Sequence, residues 1–404
     1  MTAMNSTVSD CQIPLSLRET DARRRLTLVT DIISPYRIPV FNALARHRGI
    51  DLQVIFLADN DPSSRQWPVY KGEIRFSYLV LPSWSRRFGK HNLLLNWRLG
   101  MALRQAAPDT IVCGGYNFLA CWQALLWAQH NRVPFLLWSE STVNDLRGGH
   151  PLPEFLKQKF IRACDAFVVP GKSAWEYITS FGISEERIFR APNAVDTVLF
   201  ARGAEAACRD LVRRHELSLP SRFFLFVGHL VKEKGVFDLI EAYSKLSPEL
   251  RERMGLVLVG DGKARAELQR RAAVIKPGSI HFPGFVQREH LPSYYGLAET
   301  FVFPTHTDPW GLVVNEALAC GLPVICTNVA GCAADLVQDG VNGRIVPAGD
   351  IGQLAAAMQD LVRDADWRSR MSAHSKLRIL NYSPEACAQG MAEAALSFAG
   401  RKRE

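Results

Sequence analysis

Phe301-Val-Phe-Pro-Thr-His-Thr-Asp308-Pro-Trp-Gly311-Leu-Val-Val-Asn-Glu316-Ala-Leu-Ala-Cys-Gly-Leu-Pro-Val-Ile-Cys-Thr327 reads as a strand ending at Phe303, a polar loop, a helix opening near Gly311 and a second strand. Both aliphatic runs are apolar at successive positions, so each strand must be covered on both faces. A helix between two such strands makes them parallel members of one sheet. In sheets of this kind ligands sit outside the carboxyl ends of the strands. The loop holding Asp308 and Gly311 is therefore where chemistry is expected.

The same alternation extends in both directions. Strands are expected at 26–30, 52–57, 76–81, 110–112, 135–137 and 167–169, and again at 223–227, 256–259, 280–282, 301–303, 323–325 and 344–346. Ile38, Phe41, Leu44 and Ala45 fall at helical spacing, as do Val236, Leu239, Ile240, Tyr243 and Leu246. Two blocks of strands imply two doubly wound α/β domains, with the boundary near Pro192-Asn193-Ala194-Val195-Asp196 and the polar helical stretch 201–219 that follows. Ser383-Pro384-Glu385 opens a last helix, with Ser as N-cap and Pro at the first helical position.

A length of 404 residues accommodates two or three domains of about 150 residues. Hydrophobic residues at 48% and charged residues at 22% exclude a disordered chain, a coiled coil and a collagen-like fibre. Nine cysteines, an odd number without a C-x-x-C pair, argue against a disulfide framework or zinc knuckle and for a reducing, cytoplasmic setting. No run approaches the ~18 apolar residues of a membrane span. Asp10, Glu19 and Asp21 make a secretory signal unexpected, and residues 1–23 read as a disordered tail. The net charge of +8 favours anionic partners without choosing among nucleic acid, membrane and phosphorylated substrates.

Gly311, Leu312 and Val313 offer backbone N–H groups at a helix N-terminus, a ready anion site. Asp308 and Glu316 lie eight residues apart, far enough to touch different parts of one long ligand. The plain alternative is a capping Asp and a solvated helix Glu. In the run 223–236 a strand ends at Gly228, and His229 and Lys234 follow in the loop. Both can point at phosphates, or they can simply be solvated. Gly260-Asp261-Gly262 resembles part of a dinucleotide fingerprint, but Arg265 stands where the third glycine belongs, so that signal is weak.

Together these motifs resemble the carboxy-terminal domain of a retaining GT-B glycosyltransferase of family 4 (glycosyl transferases group 1) type. The resemblance is carried by V-G-H-L-V-K-E-K-G at 227–235, V-L-V-G-D-G at 257–262, F-P-G-F-V at 282–286, D-P-W-G-L-V-V-N-E-A at 308–317 and C-G-L-P-V-I at 320–325. Gly331 and Asn342-Gly343 sit at the later glycine-containing turns. The first half resembles the family more loosely, through Ser34-Pro35-Tyr36-Arg37-Ile38-Pro39 and the 192–196 run, and coverage extends over about residues 24–398. The pattern is specific for the family and unspecific for the substrate.

The resemblance implies two Rossmann-like domains facing across a cleft. Residues 24–197 would bind the acceptor and 198–382 the nucleotide sugar. Residues 383–404 would form a terminal helix, packing back on the first domain, and a basic tail. It further implies that Lys234 holds the donor diphosphate, Glu316 the ribose hydroxyls, and Gly311, Leu312 and Val313 the phosphate and sugar. Asp308 would face the transferred sugar, and the Phe285-Val286 backbone would line the base pocket, with Gly228 and His229 completing the donor site. Two positions depart from the family. Asp308 stands for the usual Glu, and His229 for the usual Arg. An imidazole is only partly charged near neutral pH, so donor affinity is expected to weaken at alkaline pH.

In the first half, Ser139-Glu140-Ser141 replaces a His that the family often places after this strand. Glu140 is the candidate contact to the sugar or acceptor hydroxyl; alternatively it holds a backbone N–H or an Arg. Ser34 is expected to face the cleft as part of the donor-binding set, and Asp31 to be an N-cap without chemistry. Asp59-Asn60-Asp61 spells D-x-D but reads better as an acidic turn than as a metal site. The stretch 84–104 mixes bases with large apolar side chains. It reads either as an amphipathic element on an anionic membrane, with Arg86, Arg87 and Lys90 at the surface, or as a buried helix after a basic loop.

The expected activity is transfer of a sugar from a nucleotide-diphosphate sugar to a lipid-linked or saccharide acceptor, without a metal or other cofactor, in the cytoplasm or at the inner face of the membrane. Nucleic acid is not an expected partner. A GT-B epimerase or phosphorylase shares the architecture. A non-enzymatic basic binding module fits less well, because it has no use for acids at strand ends.

Overall fold

The structure is a computed structural model, and it describes residues 23–59, 68–88, 91–144, 154–210, 212–275 and 278–398. The expected tail lies outside the described residues up to residue 22. So do Asn60, Asp61, Lys90 and the basic run at 401–403, and the side chains of Arg86 and Arg87 are likewise not described.

Two parallel sheets organise the chain. The first holds β1 (Arg24–Thr30), β2 (Ile50–Phe56), β3 (Ser77–Val80), β6 (Thr110–Cys113), β7 (Phe135–Trp138), β8 (Ala166–Val169) and β9 (Ile188–Arg190), in the order β3-β2-β1-β6-β7-β8-β9. A separate two-stranded sheet pairs β4 (Ser83–Phe88) with β5 (His91–Asn96). The second large sheet holds β10 (Phe223–Val227), β11 (Gly255–Val259), β12 (Ile280–Gly284), β13 (Thr300–Phe303), β14 (Val324–Thr327) and β15 (Gly343–Val346), in the order β12-β11-β10-β13-β14-β15. β6, β7, β8, β10, β11, β13 and β14 are buried at every residue, as apolarity on both faces requires. Strand order reverses beside β1 in one sheet and beside β10 in the other, and crevices open at such points.

The segment after β9 crosses between the sheets. Asp196 accepts from Leu199 N at 2.9 Å and starts the helix Thr197–Arg209. Phe200 of that helix packs edge-on to Tyr295, 5.9 Å between centroids, in the core of the second sheet. The chain then returns. In the helix Pro384–Phe398, Cys387, Ala388, Met391, Ala392, Ala394 and Ala395 join the core that holds β1 and β2. A Cβ on Gly390 would fall 2.0 Å from Arg190 O, so only glycine permits this approach.

The stretch 84–104 is not one helix: it is a hairpin pairing Trp84 with Leu95 and Phe88 with His91, followed by the short helix Leu99–Ala106, which buries Leu99, Ala102 and Leu103. A short apolar run such as Leu93-Leu94-Leu95 fits strand and helix alike, and Gly89-Lys90 between the two runs was the overlooked hairpin signal. Asp31 is not an N-cap either. Arg37 precedes the helix Ile38–Ala45, and its side chain makes no capping bond.

Candidate active site

Loops after the strands of both sheets meet face to face. Asn315 donates to Asn193 O at 2.8 Å, Thr307 Oγ1 to Asn144 O at 3.0 Å, and Lys172 N to Asp335 Oδ2 at 2.9 Å. Arg288 of the second lobe pairs with Glu73 of the first and lies 4.3 Å over the Tyr70 ring. Asp335 also pairs with Arg190 and is nearly inaccessible; burial, set against the nearby cations, raises its pKa.

One cavity of about 380 Å³ lies within this seam. Gly228, His229, Phe285, Val286, Val313 and Glu316 line it from the second lobe, and Pro35, Tyr36 and Tyr70 close it from the first. Glycines build its floor. Gly260 has φ +134°, and a Cβ there would lie 1.9 Å from Gly228 O. The loops after β10 and β11 can meet only because Gly260 carries no side chain at that contact. Gly260, Asp261 and Gly262, dismissed as a weak fingerprint, thus line the cavity.

Glu316 dominates the chemistry of this cavity. It is wholly buried on the helix Leu312–Ala319. Tyr295 donates to its Oε2 at 2.6 Å, the Tyr36 hydroxyl faces the same carboxylate, and among the described residues Oε1 has no hydrogen-bond partner. Burial pushes its pKa up to about 7, and the two tyrosines offset only part of that rise. A buried acceptor without a donor is the feature a ligand hydroxyl would satisfy.

The helix opens between two cavities. Gly311 takes φ +98°, where a Cβ would meet the Phe303 ring at 2.7 Å. Val314 N bonds Gly311 O at 2.9 Å, so the amides of Leu312 and Val313 occupy the opening turn. Val313 lines the first cavity and Leu312 the second. Lys234 and Asp308 line neither. Lys234 Nζ lies 2.5 Å from Asp308 Oδ2 and 3.4 Å from Thr307 O, and Asp308 Oδ1 accepts from Trp310 N at 3.0 Å.

The second cavity, of about 450 Å³, lies at the carboxyl ends of β1, β6 and β7. Asp31, Ser34, Tyr36, Tyr116 and Glu140 contribute to its wall. Glu140 holds Arg37, whose guanidinium stacks 4.0 Å over Trp138 and donates to Asn193 Oδ1 at 3.0 Å. Tyr36 belongs to both cavities and forms the wall between them.

The structure therefore gathers Gly228, His229, Phe285, Val286, Val313 and Glu316 in one cavity and Ser34, Glu140 and Leu312 in the next, with Gly311 at the helix start and Lys234 with Asp308 behind it. Sequence reasoning missed Tyr36, Tyr70 and Arg288. Only Tyr36 carried a signal, since it sits inside the run 34–39 at the end of β1. Asp59 pairs with Lys71 at 2.8 Å. Among the described residues no cluster of three His, Cys, Asp or Glu side chains could hold a metal ion.

Residues 209–378 match the family model described as Glycosyl transferases group 1, and residues 40–199 match Glycosyltransferase Family 4. O-antigen chain mannosyltransferase B of Escherichia coli is 28% identical over 216 residues, covering 52% of this chain and 55% of that protein. The alpha-D-kanosaminyltransferase of Streptomyces kanamyceticus is 30% identical over 194 residues, 47% of this chain and 50% of that protein. The chain thus spans about half the length of the curated relatives it matches. Among solved structures, Anabaena HepE in complex with UDP superposes with a TM-score of 0.69 at 17% identity, covering 92% of this chain and all of that one. A glycosyltransferase from Rickettsia africae gives 0.70 at 14% identity, covering 94% and 99%. At these identities the likeness establishes the fold, two facing Rossmann-like domains of the GT-B type.

Proposed function

The chain belongs to the group 1 glycosyltransferases of the GT-B fold, and we propose that it moves a sugar, with retention at the anomeric carbon, from a nucleotide-diphosphate sugar to a saccharide or glycolipid hydroxyl. The observation that carries this reading is Glu316, a wholly buried carboxylate with one oxygen unpartnered in a glycine-floored cavity beside a helix N-terminus. A ribose hydroxyl donates to Oε1, the base lies along Phe285-Val286, and the diphosphate reaches the amides of Leu312 and Val313. The relatives' names fit this reading: one is a mannosyltransferase, several are D-inositol 3-phosphate glycosyltransferases, and HepE was crystallised with UDP and with UDP-glucose.

As the glycosidic bond breaks, negative charge builds on the leaving diphosphate. The helix N-terminus, His229 and Lys234 stabilise it, so the step is proposed to need no metal. Lys234 exchanges its bond to Asp308 for the diphosphate when the donor enters, which leaves Asp308 free to face the sugar. The departing phosphate takes the acceptor proton. The acceptor occupies the second cavity, against Glu140 and Ser34.

Among the described residues no helix is long and apolar enough to cross a membrane. We place the protein in the cytoplasm, at the membrane surface. Trp84, Trp97 and Met101 are 45%, 65% and 55% exposed on and beside the hairpin, next to exposed Arg98 and Arg104. Exposed aromatic and basic side chains this close in sequence suit an anionic lipid surface. The deciding experiment is a thermal-shift panel of UDP-, GDP-, ADP- and dTDP-sugars on the wild type and Glu316→Gln. One nucleotide should raise the wild-type melting temperature and lose most of that effect in the variant. No shift with any of them would overturn the reading. Incubating the donor alone separates transfer from epimerisation.

A further inference from the structure

We propose that the acceptor end of the second cavity takes an uncharged sugar ring and rejects a phosphorylated one. The proposal rests on the glycosyl-transfer reading and specifies its acceptor.

Charge gives the first argument. Among the described residues lining this cavity there are two carboxylates, Asp31 and Glu140, and one cation, Arg37. The cation is already engaged. Its guanidinium pairs with Glu140, donates to Asn193 Oδ1 and stacks on Trp138. Among the described residues the Asp31 side chain has no such partner; the Thr30 hydroxyl alone donates to it, at 3.3 Å. Among the described residues a phosphate monoester entering here would meet an uncompensated carboxylate and no free cation, and juxtaposed like charges discriminate.

Hydrogen-bond capacity gives the second. Trp138 Nε1 and Ser139 Oγ belong to lining residues that are 4% and 3% exposed, and neither has a partner. Indole N–H only donates, a serine hydroxyl donates and accepts, and a carboxylate only accepts. A ligand satisfying all of them must carry groups that both give and receive hydrogen bonds. Sugar hydroxyls do this. A phosphate dianion only accepts, so placed against Asp31 it sets acceptor against acceptor; a phosphorylated ring can offer its hydroxyls to Asp31 only by turning its phosphate toward other lining groups, none of which among the described residues is a free cation.

The test uses the full chain saturated with UDP or GDP, whichever stabilises it. Saturation-transfer NMR titrations compare methyl α-D-glucoside, galactoside and mannoside with the matching hexose 6-phosphates and with myo-inositol 1-phosphate. At least one methyl hexoside should bind about tenfold or more tightly than any phosphorylated ring. Asp31→Asn and Ser139→Ala should each weaken that hexoside about three- to tenfold. Asp31→Lys should reverse the preference, because it supplies the missing cation; the nucleotide thermal shift checks that each variant is folded. A nucleotide-loaded wild type that prefers a phosphorylated ring, or that binds no hexoside, overturns this proposal alone. No nucleotide shift would sink the transferase reading and this proposal with it.

Discussion

Lys234 Nζ stands 2.5 Å from Asp308 Oδ2, across 74 residues of sequence. The cation expected on the diphosphate and the acid expected on the sugar neutralise each other here. Their side chains are only 21% and 17% exposed, so removing one leaves the other partly buried and uncompensated. Lys234→Ala should therefore cost about 1–3 kcal/mol of stability in urea melts as well as turnover. Asp308→Asn should cost less stability, since the amide oxygen still accepts. A double-mutant cycle should show coupling of about 1 kcal/mol, and strictly additive losses would mean the pair contributes nothing.

Glu316 gives pH dependence of two kinds. Its pKa is raised from the ordinary carboxylate value of 4.5 to about 7, so the native state holds its proton more tightly than the unfolded chain. Stability from this source is complete below pH 4.5 and is lost as pH rises through 7, by about 3 kcal/mol in all. Glu316→Gln should remove that slope and raise the melting temperature most at pH 8. Nucleotide binding runs the other way, because only the ionised carboxylate accepts freely from two hydroxyls. Ionisation of Glu316 should raise affinity with pH through about 7, against the fall that loss of charge on His229 brings, and Glu316→Gln should keep only the fall. Titration calorimetry at pH 6 and 8 on both proteins reads the difference, and the same pH dependence in wild type and variant would remove Glu316 from the ribose.

The seam is held beside the first cavity by Arg288 and Glu73. The Arg288 side chain is 9% exposed, so Glu73→Gln strands a buried guanidinium between the lobes. The lobes should then part more readily. A larger radius of gyration in solution scattering and a nucleotide dissociation constant raised about tenfold are expected. Unchanged scattering and affinity would show that the pair does not hold the lobes together.

Gly260 and Gly278 separate packing from backbone strain. Both have positive φ, +134° and +79°, but a Cβ at Gly278 meets nothing within 4 Å whereas one at Gly260 strikes Gly228 O. Gly278→Ala should cost about 1 kcal/mol. Gly260→Ala should cost about 2 kcal/mol or more and push apart the loops that floor the first cavity, abolishing the nucleotide thermal shift. Equal losses in the two variants would refute the close approach.

Where a strand is apolar on both faces, its sequence alone located it. The run 223–227 coincides with β10, and 301–303 lies within β13. Glu316 follows such a strand, β13, while Phe285 and Val286 follow the half-buried β12, and they meet in one cavity because the fold puts those loops side by side. Tyr70 and Arg288 were not legible, because each comes from a different lobe and neither has local spacing that points at the other. That Glu140 holds an Arg was one of the two readings its sequence allowed; that the Arg is Arg37, 103 residues away, was not legible. The hairpin at 83–96 was misread for a local reason: its apolar residues satisfy two periods at once.

The hairpin edge carries the membrane proposal, and two sets of substitutions separate its terms. Trp97 and Met101 are more than half exposed, and Trp84 nearly so, a concentration of large apolar surface that a water-facing edge does not need. Changing these three to Ser should weaken binding to phosphatidylglycerol-rich vesicles at every salt concentration, since the lost term is apolar burial. Changing Arg86, Arg87 and Lys90 to Glu should weaken it mainly at low salt, by about 1 kcal/mol per base removed and more for the reversed charge. The wild type should sediment with anionic vesicles and stay in solution with neutral ones. If it stays in solution with both, this edge is not a lipid-binding surface, and its exposed tryptophans need another partner.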